Sequence, residues 1–167
     1  VSTDWNASGN WLCGLIPDQV LSVRIPDVPN KPVINGGAEG AVNNLVIDSG
    51  SSLTVTGNTI RVMGQITNNG TLTATNGTVE MNGSAPQQIG ADIFSGNTIQ
   101  DLTINNPAGV ALQGPLNVTG VVYVQNGALS SDGYLTLASN AAGTALIDGS
   151  GSGTVTGNVT MQRYLSS

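Results

Sequence analysis

Arg61 and Glu80 lie 19 residues apart, Cys13 is the single thiol, and nine further carboxylates are scattered along the chain. An active site would have to be built from these groups, because the sequence has no histidine. Ser–His–Asp and Cys–His nucleophilic catalysis therefore lack their base, and histidine-containing metal sites are excluded. Cys13 has only distant carboxylates to activate it and reads as a free thiol. Glycoside hydrolysis and calcium binding need carboxylates gathered on one face. Here Asp4, Asp18, Asp27, Glu39, Asp48, Asp92, Asp101, Asp132 and Asp148 are spread out, with no two adjacent. Arg61 and Glu80 read as a surface ion pair, worth about 0–1 kcal/mol. The stretch DGSGSG at 148–153 lacks the additional acids of a calcium loop and reads as a flexible corner or long loop. No catalytic, cofactor-binding or metal-ligating residue is expected, so the chain reads as a non-enzyme without a cofactor.

Hydroxyls are the other candidate chemistry. Thr54, Thr56, Thr71, Thr73, Thr75, Thr136, Thr154 and Thr156 recur at outward positions of one column of strands, interrupted by Asn117 and Tyr134. Such a face can order water, as ice-binding solenoids do, or meet a glycan. It can equally be a plain ladder of β-branched residues. Six Asn-x-Ser/Thr sequons, at Asn6, Asn69, Asn76, Asn82, Asn117 and Asn158, are expected by chance in so Asn- and Thr-rich a chain. The formal net charge of −6, with only Arg24, Lys31, Arg61 and Arg163 as cations, argues against nucleic acid and anionic membrane. No run approaches the ~18 apolar residues of a membrane helix. One cysteine allows no internal disulfide, which suits an extracellular bacterial protein with a sufficient core.

The elements that would position these residues are short strands. Helical periodicity is nearly absent, whereas three-residue apolar alternations bounded by Gly or Asn-Gly are frequent. Glycines at 57, 64, 70, 77 and 83, and again at 114, 120, 127 and 133, mark corners every six or seven residues. Three such segments make a coil of about 20 residues, and one column recurs as Leu53-Thr54-Val55, Leu72-Thr73-Ala74, Leu116-Asn117-Val118, Leu135-Thr136-Leu137 and Val155. A second column holds Ile60-Arg61-Val62, Val79-Glu80-Met81, Leu102-Thr103-Ile104 and Val122-Tyr123-Val124. A third, looser one holds Leu45-Val46-Ile47, Ile66, Ile89, Val110-Ala111-Leu112, Leu129 and Ala145-Leu146-Ile147. Repetition at this length is the mark of a solenoid. The rival, a β-sandwich of hairpins, needs strands of about five or six residues. The pattern predicts an all-β, three-sided, right-handed parallel β-helix, with Gly or Asn at corner positions of positive φ.

Residues 1–35 carry both tryptophans and four of the seven prolines and read as an irregular N-terminal cap or first coil, ahead of a β-helix over 36–167. Together they form a single structural domain. Trp5 and Trp11 are expected to cover the open end of the core; stacking on a sugar is their alternative role. The C-terminal end stops soon after a strand with no evident cap, and the chain opens on Val1 without a methionine, so a mature or excised piece of a longer protein is expected.

The chain resembles a recurrent module of very large secreted and cell-surface proteins of the Bacteroidetes phylum. The resemblance is carried by STDWNASGNWLCGLIP at 2–17, VRIPDVPNKPVI at 23–34, VNNLVIDSGSSLTVTGN at 42–58 and GTVTGNVTMQRY at 153–164. It implies part of an adhesin or gliding-associated protein of the type IX secretion kind, although no sorting domain is visible. A stiff stalk or adhesive segment on the bacterial surface is therefore expected, with neighbouring domains of the same chain, or other copies end to end, as partners. Self-assembly into filaments by strand addition and glycan binding on a β-helix face are the alternatives. Neither nucleic acid nor membrane insertion is expected.

Overall fold

The structure, a computed structural model, describes residues 2–165. It is a parallel β-solenoid of about seven turns, almost without helix. Every strand ladder is parallel except one two-residue hairpin, Ser139–Asn140 with Gly143–Thr144. The parallel ladders exclude the hairpin sandwich.

The first face stacks Val33–Ile34, the opening halves of Ser52–Val62, Thr71–Met81 and Thr98–Asn105, then Leu116–Val118, Leu135–Leu137 and Val159–Met161. The second face stacks Gly40–Val42, the closing halves of the same three long strands, Val121–Asn126 and Leu146–Asp148. The third face has Val23–Ile25, Leu45–Ile47 and Ile66–Asn68, followed by Gln87–Ile89, Val110–Leu112, Ala128–Ser130 and Thr154–Thr156.

In-register pairing puts like residues on top of one another. Val42, Val62, Met81, Ile104 and Val124 form one inward stack on the second face. Ala74, Ile99, Val118 and Leu137 form another on the first. All of these are buried. Each apolar side chain removed from water contributes roughly 1.5–3 kcal/mol, which is what holds such short strands together.

Three sequence expectations change. The corner between the first and second faces is a bulge rather than a break, so two expected strands merge into Ser52–Val62 and again into Thr71–Met81. Among the corner glycines, only Gly57, Gly127 and Gly133 have positive φ. The others are needed because the coil below is too close. A Cβ on Gly70 would lie 2.3 Å from the carbonyl oxygen of Ser51. The last coil also departs from the count. The hairpin lengthens the path from Leu137 to Leu146, so Leu146–Asp148 lands on the second face rather than the third. Val155 then pairs with Leu129 on the third face, and Val159–Met161 continues the first. The missing rung of the first column is Thr98–Ile99.

The third face is interrupted between Ile66–Asn68 and Gln87–Ile89, and side chains close the gap. Pro86 has no N–H to offer. Buried Gln87 donates Nε2 to the carbonyls of Val62 (3.0 Å) and Gly64 (2.6 Å). Its Oε1 accepts from Gly83 N (2.9 Å) and Asn106 Nδ2 (2.8 Å). The amide is thus fully satisfied without water.

Two substitutions test this account by urea unfolding. Leu72→Ala is expected to lose about 2–5 kcal/mol, because its cavity cannot collapse between coils. Gln87→Ala is expected to lose about 1–3 kcal/mol for stranding buried donors and acceptors. The exposed Thr67→Ala control should stay within about 0.5 kcal/mol.

Candidate functional site

The N-terminal cap begins as a partial rung. Trp5 N donates to Val33 O (3.0 Å) and Val33 N to Thr3 O (2.7 Å), so residues 3–5 lie parallel on Val33. This places the Trp5 ring, fully buried, over the first coil beside Ile34. Gly40 makes room for it: a Cβ there would lie 2.4 Å from Ile34 Cδ1 and 3.4 Å from Trp5 Nε1. Trp11 meets Trp5 edge to face, with ring centroids 4.8 Å apart at 73°. Its Nε1 donates to Trp5 O (2.8 Å). Trp5 Nε1 is itself buried without a partner.

Beside this pair opens a cavity of about 770 Å³. Trp11, Leu12, Val28, Pro26, Pro29 and Pro32 form its apolar walls, and Asp4, Asn10, Arg24, Asn30 and Asp48 its polar part. Arg24 Nε is held by both carboxylate oxygens of Asp48, at 3.1 and 2.9 Å. Neither spacing nor period in the sequence signals this cavity; the clustered prolines were the only cue. A smaller hollow of about 280 Å³ lies by the insertion at 90–97, between Asn68, Asp92, Phe94 and Asn97.

The threonines divide between faces. Thr54 pairs with Thr73, and Asn117 with Thr98 and Thr136, which in turn pairs with Thr160. Thr98, half-exposed, and Thr160, exposed, thus belong to this rank, although the sequence count left them out. Thr71 sits beside Ser52, Thr56 beside Asn76, and Thr75 is exposed at the bulge. Thr154 and Thr156 lie on the third face, beside Ala128 and Ser130. The rank is therefore regular for one residue per coil and does not widen into a flat double array.

Arg61 bridges two carboxylates, Glu39 Oε2 and Glu80 Oε2, each at 2.7 Å. Asn82 Nδ2 donates to the other oxygen of Glu80 (2.9 Å). The Arg61–Glu80 pair expected from the sequence is present and extends by one further acid. Its guanidinium pKa is raised, first by the Glu80 hydrogen bond, against partial burial, and then by the charges of Glu80 and Glu39. The carboxylates are thus engaged with a cation and an amide, an arrangement of a structural clamp.

Around 148–153 the corner is tied down rather than loose. Asp148 Oδ1 accepts from Ser150 N (2.8 Å), which lowers its pKa, and Ser152 N donates to Gln125 O (3.0 Å) on the coil below. Among the described residues, no three His, Cys, Asp or Glu side chains come together as a metal-holding group. No helix among the described residues is long and apolar enough to cross a membrane.

The far end is built differently from the cap. Leu146–Asp148, Thr154–Thr156 and Val159–Met161 each have a strand on one side only among the described residues. Leu146, Ile147 and Met161 are exposed there.

Residues 1–91 match the family described as "Domain of unknown function (DUF8693)", which spans the cap and the first coils. No curated protein and no solved structure matches the chain.

Two outcomes follow from this geometry. Trp5→Ala should lose about 3–5 kcal/mol in urea unfolding, since it opens the capped end of the core. Thermal stability should be level between about pH 5 and 9, because no histidine titrates there. The raised pKa of Arg61 costs stability only as alkali rises through it, far above that range. The lowered pKa of Asp148 contributes stability that is lost only as the pH falls below about 4. A melting series across pH checks both limbs.

Proposed function

We propose, for a chain that belongs to the DUF8693 family, a non-catalytic structural and adhesive role: a stiff segment of a large bacterial cell-surface protein that holds its neighbours away from the cell. The observation that carries this reading is the unbroken first-face ladder, seven strands from Val33–Ile34 to Val159–Met161. Each coil is hydrogen-bonded to the next along the axis at ~4.8 Å per rung, so bending the rod strains whole ladders at once. The resemblance of the opening and closing motifs to modules of Bacteroidetes surface proteins supports an extracellular place and export of the type IX kind. The Arg61 cluster, whose carboxylates are already engaged, favours a structural over a hydrolytic use.

A second reading, end-to-end assembly, is favoured by the three one-sided strands and by exposed Leu146, Ile147 and Met161. Open strand edges with apolar faces take up further strands readily. Negative-stain microscopy and light scattering over a concentration series separate the two. Short isolated rods at every concentration, with slow proteolysis of the coils, are expected for a spacer. Filaments that lengthen with concentration would replace the spacer reading with assembly.

A further inference from the structure

The cavity in the N-terminal cap is preformed, and its chemistry is that of a ligand site. Pro26, Pro29 and Pro32 have φ locked by their rings. Trp11 is held at its Nε1 edge by the hydrogen bond to Trp5 O and by the edge-to-face contact with the Trp5 ring. Little side-chain entropy is therefore left to lose when something enters. A volume of about 770 Å³ lies within the range of small-ligand sites, which are apolar with a few convergent polar groups.

The polar groups select the class of ligand. Arg24 is 74% exposed at its side chain, and only its Nε is engaged, by Asp48. Among the described residues its two Nη groups and the Asn30 amide have no partner. They offer donors and an acceptor beside an indole ring. The single cation is already neutralised by Asp48, and Asp4 adds a further negative charge to the wall. An anionic ligand is thereby disfavoured. A purely apolar peptide side chain would cover the Arg24 and Asn30 groups without satisfying them, which costs binding energy.

We propose that this cavity binds a neutral oligosaccharide of two or three residues. The apolar C–H face of one sugar ring lies on Trp11, and its hydroxyls pair with Arg24, Asp48 and Asn30. Hydroxyls both donate and accept, so one ring can satisfy the guanidinium and the carboxylate together. This site lies at the end of the rod, apart from the threonine rank. Of the two tryptophans, only Trp11 lines it; Trp5 is buried structure.

The test is titration calorimetry with tryptophan emission as a second readout, using cellotriose, xylotriose, mannotriose and chitotriose. At least one is expected to bind, to shift the emission, and to raise the melting temperature. Trp11→Ala should weaken that binding by about tenfold or more. Asn30→Trp, on an exposed loop, should fill the cavity and abolish binding without lowering the melting temperature. It serves as the decisive variant if Trp11→Ala destabilises the cap. Thr73→Arg, on the lateral rank, should bind as the unaltered protein does. Failure of all four trisaccharides to bind overturns the proposal. So does binding that survives Asn30→Trp, or binding of a proline-rich or apolar peptide instead of any sugar.

Discussion

Parallel stacking of coils in register is the constraint on which everything else depends. With rungs only ~4.8 Å apart, each side chain is judged against the one directly above and below it. Inward, that selects columns of similar volume, such as Val42, Val62, Met81, Ile104 and Val124. Outward, like charges would repel at this spacing, and the chain keeps charges few. Where charges do stack they are opposite in sign, as Arg61 and Glu80 are, and Glu39 reaches the same guanidinium from beside the rank. The same closeness explains most of the corner glycines. A side chain at Gly70 or Gly77 would collide with backbone carbonyls of the preceding coil, whatever the local dihedrals.

Departures from the stack are repaired locally. The gap in the third face is closed by Gln87, Asn106 and Gln65, whose amides take the place of backbone partners. Gln65 reaches across to Pro86 O and Gln88 N, on the far side of the break. The insertion at 90–97 is likewise anchored, by Asn68 Nδ2 on Ile93 O and by burial of Ile93 and Phe94. A solenoid tolerates such changes because each coil contacts mainly its neighbours. An added loop therefore disturbs one rung and leaves the axis intact.

The two ends solve the solenoid's edge problem in opposite ways. At the start, residues 3–5 occupy Val33's free side and an aromatic pair covers the core. In doing so they form, with residues 24–32 and Asp48, the cavity of about 770 Å³. At the other end, among the described residues, three strands keep a free side, and Ile147 and Met161, stacked on buried Val122 and Leu137, are left exposed. A rod so built has direction: one end is covered by an aromatic pair, and the other differs from it in leaving strand edges free among the described residues.

Much of the fold was legible in the sequence. The alternation of apolar residues, the corner glycines and the 19-residue recurrence of Leu53 at Leu72 together determine three faces, their inward residues and the Arg61–Glu80 contact. They do so because stacked coils repeat the same local demands. The face reached after an insertion was not legible: the hairpin at 139–144 shifted Val155, Thr154 and Thr156 to the third face, since a residue count cannot tell a lengthened corner from a strand. The cavity was equally hidden. Its walls come from residues 2–48, brought together only when the cap folds back over the first two coils, and irregular backbone has no period to read. The repeat thus belongs to the sequence, whereas the path of the last coil and the cavity at the cap were decided by packing.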